Sequence, residues 1–194
     1  MTSVEEIRKR LQKRDALVVV DVQPDFCPGG KLAIENGDEV IPVLNAWIAA
    51  ARRENLLVCA SRDWHPVGHV SFEESGGEWP EHCVQDTPGA LFHPNLDLPE
   101  DAVKISKGTR LDRDQYSAFD ATGLAEHLRY YRVERLWIGG LAEDVCVRAT
   151  VLDACEAGFE TRLIPDATRP VTPEGGEKAR REMEEAGAVI ASRA

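Results

Sequence analysis

The chain has 194 residues, which at about 150 residues per domain fits one domain carrying a large insertion. Its 43% hydrophobic and 29% charged content is that of an ordinary globular protein. The formal net charge of −11 repels phosphate backbones and anionic lipid, which argues against nucleic-acid and membrane partners and leaves a small neutral or cationic substrate open.

The N-terminal MTSVEEIRKRLQKR lacks the apolar centre of a secretory signal, and no apolar run approaches the roughly 20 residues that span a bilayer. The first strand is expected at ALVVV (16–20). DEVIPVLNAWIAAARREN (38–55) follows, with Val40, Leu44, Trp47, Ile48 and Ala51 on one helical face. LLVCA (56–60) reads as the second strand. Residues 62–101 then break the pattern, holding five of the eleven prolines and four of the five histidines. An irregular stretch of that length with such side chains is expected to be functional. The alternation resumes with AVKI (102–105), a helix in ATGLAEHLRYY (121–131), RLWI (135–138), a helix in EDVCVRATVLDACEAG (143–158), TRLI (161–164), a helix in TPEGGEKARREMEEAG (172–187) and AVIA (188–191). Short β-branched runs alternating with helices predict an α/β, three-layer, doubly wound fold, with a six-stranded, mainly parallel sheet covered on both faces. We expect one domain over 1–194 with an insertion at about 62–101.

Ligands of open parallel sheets sit outside the carboxyl ends of the strands. Asp21 follows the first strand, Asp63 the second and Lys107 the third; Cys146 lies in what reads as the first turn of the helix after the fourth. Taken singly, each has a bland reading, as a turn residue, a solvated lysine or a structural thiol among valines. Delivered to one edge they form a nucleophile–base set, in which a lysine and a helix N-terminus would favour a thiolate. Asp63, His65 and His82, with His69 between them, are an O/N donor set suited to zinc, iron or manganese. The remaining cysteines, Cys27, Cys59, Cys83 and Cys155, form no CxxC and no disulfide framework, which points to a reducing cytoplasm.

The segments VDVQPDFCPGG, SRDWHP with HVSF, WPEHCVQDTPGA, KGT followed by YSAF, and GGLAEDVCV resemble the nicotinamidase/pyrazinamidase branch of the cysteine hydrolases related to isochorismatase. The resemblance implies hydrolysis of nicotinamide to nicotinate and ammonia, and of pyrazinamide, through a cysteine thioester. It implies Asp21, Lys107 and Cys146 as catalytic residues and the amides of Ala142 and Cys146 as oxyanion hole, next to a cis Leu141–Ala142 peptide. It further implies one divalent metal on Asp63, His65 and His82, with His69 a ligand in some members only, and a substrate slot of Phe26, Trp79, Tyr116 and Leu141. Pro24, Glu143 and Val145 depart from the commonest family residues at no catalytic or metal position. A role in nicotinamide salvage toward NAD comes with the family, and a homo-oligomer stays open. The rival readings are a related carbamoyl or ureido amidohydrolase, and a non-catalytic metal- or thiol-sensing protein.

Overall fold

In the computed structural model, which describes residues 3–191, all six expected strands form. They are β1 (Asp15–Val20), β2 (Leu57–Asp63), β3 (Val103–Lys107), β4 (Arg135–Leu141), β5 (Glu160–Arg169) and β6 (Val189–Ile190). Every pairing is parallel, in the order β3-β2-β1-β4-β5-β6. The ends of the expected 1–194 domain, residues 1–2 and 192–194, lie outside the described residues.

The central strands β1 and β4 are buried along their whole length because both faces are covered. Along β1, Leu17 and Val19 enter one core, while Ala16, Val18 and Val20 enter the other. This is the two-residue alternation of a pleated strand used twice. The first core is closed by α2 (Val40–Arg53) through Leu44, Trp47 and Ile48. The second is closed by Leu124 and Leu128 of α3 (Leu124–Tyr130), Val151 and Ala154 of α4 (Arg148–Glu156), and Ala179 and Met183 of α5 (Pro173–Glu185). Fully burying a leucine or isoleucine of this kind stabilises the fold by about 1.5–3 kcal/mol relative to exposure. Among the described residues, no helix is long and apolar enough to cross a membrane.

Three local features differ from the sequence expectation. A short helix, α1 (Val4–Arg8), precedes the first strand, started by a capping box between Ser3 and Glu6. Strand β5 runs ten residues and passes through Pro165, where the register against β4 shifts between Ile138 and Gly140. A bulge of that kind tolerates the missing N–H of proline. The helix expected from residue 143 begins instead as a π turn over Glu143–Val147, with Val147 N donating to Ala142 O at 3.0 Å. Such wide turns recur at functional sites.

The strand order places the functional edge. Chain direction across the sheet reverses between β1 and β4, and ligands of doubly wound folds bind at that switch point. Asp21 leaves β1 on one side of the crevice, and the Cys146 turn follows β4 on the other.

Candidate active site

The register of the strands brings the charged residues together. Asp63 and Lys107 are the last pair of the β2–β3 ladder, and Asp21 begins the turn after β1 with φ 48°. The Lys107 ammonium is fully buried and lies 2.8 Å from Asp21 Oδ2, 2.5 Å from Asp63 Oδ1 and 3.5 Å from Cys146 Sγ. It also donates to Gln115 O at 3.3 Å. The contact with Asp21 Oδ2 is a buried ion pair. The other carboxylate oxygen of Asp21 accepts from Ser61 Oγ at 2.7 Å. Ligand atoms of Asp21, Asp63 and Cys146 lie within 4.8 Å of one another.

One lysine among two carboxylates and a thiol leaves the cluster short of positive charge. Burial alone would lower the pKa of Lys107, but Asp21 and Asp63 outweigh it and hold the lysine charged. Burial likewise opposes ionisation of Asp63, yet Lys107 brings it below the usual carboxylate range. Asp21 is pushed up by burial and by Asp63, against the pull of Lys107 and Ser61. The Cys146 thiol is raised well above its ordinary value by burial and by Asp21 and Asp63, with Lys107 only partly compensating. Burial and the two carboxylates thus oppose the thiolate that a helix N-terminus and a nearby lysine favour. Burial is the largest of these influences, and the carboxylates of Asp21 and Asp63 act in the same direction.

The turn that carries Cys146 is anchored to α5. Buried Glu143 pairs with Arg180, and Asp144 Oδ1 accepts from Val171 N at 2.8 Å. The Leu141–Ala142 peptide just before the turn is cis.

Within the insertion, Asp63, His65 and His82 are all buried, and their ligand atoms lie within 4.8 Å of one another. His65 Nδ1 is 3.0 Å from Gly108 O, and His82 Nδ1 is 2.7 Å from Pro80 O. A carbonyl at Nδ1 selects the neutral tautomer with its proton there, which leaves Nε2 as the lone-pair donor a metal needs. One carboxylate oxygen and two imidazole nitrogens, so prepared, fit a divalent ion. Gly108 is required by this packing, since a Cβ there would sit 2.6 Å from His65 Nδ1. His69 stacks on His65 with ring centroids 4.4 Å apart and contacts Ser71 Oγ through Nδ1 at 2.7 Å. Its Nε2 is buried without a hydrogen-bond partner. It groups with His65 and Asp114, not with Asp63 and His82. Asp114 carries no motif or spacing signal, and only the fold reveals it beside this group.

A cleft joins the two clusters. Phe26, Trp79, His82, Asp114, Tyr116, Ala142 and Cys146 line it, and its empty space is about 480 Å³ with the open mouth included. Trp79 Nε1 donates to Tyr116 Oη at 3.0 Å across the entrance. Leu141 is not among the residues that line the cleft, because its side chain is fully buried in the apolar core. A larger groove at the opposite end of the sheet, with about 1060 Å³ of empty space on the same measure, is lined by Lys13, Arg52 and Tyr131, among others, and holds neither a thiol nor a histidine. Among the described residues all five cysteines are free. Burial pushes Cys27 up to about 11 and Cys59 up to about 12, which disfavours the thiolate form a thiol sensor uses.

Known proteins resemble the chain in sequence and in fold. A nicotinamidase from Escherichia coli (strain K12) is 38% identical, over 90% of this chain and 93% of its own length. The crystal structure of a pyrazinamidase of Pyrococcus horikoshii in complex with zinc superposes with a TM-score of 0.90 at 49% identity, covering 93% of this chain and 99% of that one. PnC1 from L. infantum in complex with nicotinate gives 0.88 at 34% identity, over 94% of each chain. The isochorismatase domain matches residues 15–194, and the chain belongs to that family.

Proposed function

We propose that this protein hydrolyses nicotinamide to nicotinate and ammonia, accepts pyrazinamide as well, and does so through a thioester on Cys146. The observation that carries the reading is the position of Asp63. One of its oxygens pairs with Lys107 in the catalytic cluster, while the same carboxylate groups with His65 and His82. A nucleophile and a ring-holding site are thus joined in one cleft. Relatives of 38% and 37% identity are a nicotinamidase and a nicotinamidase/pyrazinamidase, which supports the same substrate class.

In this mechanism Cys146 Sγ attacks the carboxamide carbon as its proton passes to Asp21. The carbonyl oxygen gains the negative charge, and the amides of Ala142 and Cys146 hold it. Loss of one such donor typically lowers turnover about 10²–10³-fold. Asp21 returns the proton to the amide nitrogen, the C–N bond breaks, and ammonia leaves a nicotinoyl thioester. Asp21 then takes a proton from water as its oxygen attacks the acyl carbon. The C–S bond breaks, nicotinate leaves, and the proton restores the thiol. Lys107 stays charged throughout and orients both aspartates.

Asp63, His65 and His82 would hold one divalent ion (zinc, iron or manganese), with His69 available as a further donor. An ion there supplies a Lewis-acid partner for the ring nitrogen of the substrate. Phe26, Trp79 and Tyr116 pack on or beside the ring. The acidic surface and reduced cysteines fit an enzyme of the cytoplasm acting on a small molecule, organised as one catalytic domain.

Ammonia release from nicotinamide tests the reading. We expect release by the metal-loaded protein, and a large rise in KM when benzamide, which lacks the ring nitrogen, replaces nicotinamide. A folded, metal-loaded protein that releases no ammonia from either pyridine or pyrazine carboxamide would contradict it.

A further inference from the structure

The segment leaving β1 supplies Asp21 and Phe26, yet two further polar side chains on it are buried and unused by the reaction above. Gln23 is fully buried and Asp25 nearly so. Gln23 Oε1 accepts from Asp63 N at 2.7 Å, and its Nε2 donates to Asp63 O at 2.8 Å and to Ala90 O at 2.9 Å. The side chain thus holds the N–H and C=O of Asp63 beyond the last strand pair, as a neighbouring strand would.

Asp25 acts on the other end of the metal set. Its Oδ2 accepts from Cys83 N at 2.7 Å, and its Oδ1 accepts from Lys31 N at 3.3 Å. Cys83 directly follows His82 and has φ 45°, a left-handed conformation that non-glycine residues rarely adopt. The carboxylate bond holds its N–H in that conformation. The carbonyl of the same residue accepts from His65 N at 2.9 Å, so the Cys83 peptide links Asp25 to the main chain of both histidines. Gly89 leaves room for this, because any Cβ there would overlap the Asp25 carboxylate.

We propose that Gln23 and Asp25 are positioning residues through which the catalytic strand sets the metal site: Gln23 fixes Asp63, and Asp25 fixes the turn carrying His82 and, through Cys83, His65. The proposal rests on reading Asp63, His65 and His82 as the ligands. It gives the two residues different signatures. Asp63 also pairs with Lys107, so a disturbance at Gln23 reaches both clusters, whereas a disturbance at Asp25 reaches the metal set alone.

The test uses the purified, metal-stripped full chain titrated with Co²⁺, with affinity read from its visible spectrum and from chelator competition. In parallel, alkylation of Cys146 by iodoacetamide is followed against pH by mass spectrometry of its peptide. The folded state of each variant is checked by circular dichroism and melting. We expect Asp25→Ala to weaken Co²⁺ binding about 10–100-fold, the range seen when support of a ligand is lost, with the alkylation profile unchanged. Asp25→Asn keeps one acceptor for Cys83 N and should fall between Asp25→Ala and the unmodified chain; it decides the matter if the alanine variant does not fold. Gln23→Met should both weaken Co²⁺ binding and shift the alkylation profile. Folded Asp25 variants that bind Co²⁺ with unchanged affinity would overturn the proposal, as would identical alkylation changes in the Asp25 and Gln23 variants. An unmodified chain that binds no Co²⁺ would instead overturn the ligand reading itself.

Discussion

The two halves of the site are built by different means. Asp21, Asp63 and Lys107 stand at the ends of adjacent parallel strands, where ladder register determines which side chains meet. His65 and His82 lie on an irregular segment held by isolated bridges, such as His65 with Val84, and by single carbonyls that select their tautomers. The strand-end cluster is a closed ionic knot around a buried lysine, and the histidine cluster presents lone pairs toward the cleft. Position on a sheet places charge reliably, whereas a loop can arrange ring nitrogens that no strand spacing would align. Asp63 belongs to both halves, so perturbations should either stay within one half or pass through it.

The largest separation comes from Cys146→Ala. It should reduce ammonia release by about 10⁴-fold or more, as loss of a nucleophile does, while metal content stays unchanged. Residual turnover close to that of the unmodified chain would break the covalent route. Next is Lys107→Met, which leaves Asp21 and Asp63 buried and without their cation. Removing one partner of a buried ionic set destabilises by about 3–5 kcal/mol. Denaturant unfolding should show that loss together with weaker metal binding, because Asp63 is shared; an unchanged midpoint would contradict the knot. His82→Ala acts within the other half. It should lower metal affinity by more than the roughly 10–100-fold cost of losing a supporting residue, leaving Cys146 alkylation in the metal-free protein as it was.

The smallest effect is the pH dependence, and its sign follows from burial. Asp21 serves as base only when ionised, and its pKa is raised. The acid limb of kcat/KM should therefore lie above the ordinary aspartate value of about 3.9, with activity falling as pH drops through it. The Cys146 thiol is raised as well, so its alkylation in the free protein should be slow at neutral pH and climb only in the alkaline range. Rapid alkylation at pH 7 would show a resting thiolate and contradict the charge balance drawn here.

Much of this was legible in the chain before folding. The central strands announce themselves because a strand covered on both faces is apolar along most of its length, as VVV at 18–20 is. Strand ends then place Asp21, Asp63 and Lys107 at one edge, since side chains at the end of a parallel strand face the crevice. Other features are not local properties of sequence. The upward shift of the Cys146 thiol comes from its burial and from two carboxylates that follow β1 and end β2, and Asp114 meets His65 and His69 only through the loop after β3. The π turn at Glu143–Val147 looks like an ordinary helix start in sequence, because its anchors, Arg180 and Val171, lie far along the chain. The capping box at Ser3–Glu6 was readable from S-x-x-E and is the simplest signal overlooked.

The central claim is that the acyl group passes through Cys146 while the histidine half holds the ring. Its most direct test is mass spectrometry of protein quenched in acid during turnover of nicotinamide, with and without bound metal. The account predicts a nicotinoyl adduct on the peptide containing Cys146 when metal is bound, absent in Cys146→Ala and sharply reduced in the stripped protein. Steady ammonia release with no adduct on Cys146 at any quench time, and undiminished release by Cys146→Ala, would contradict it.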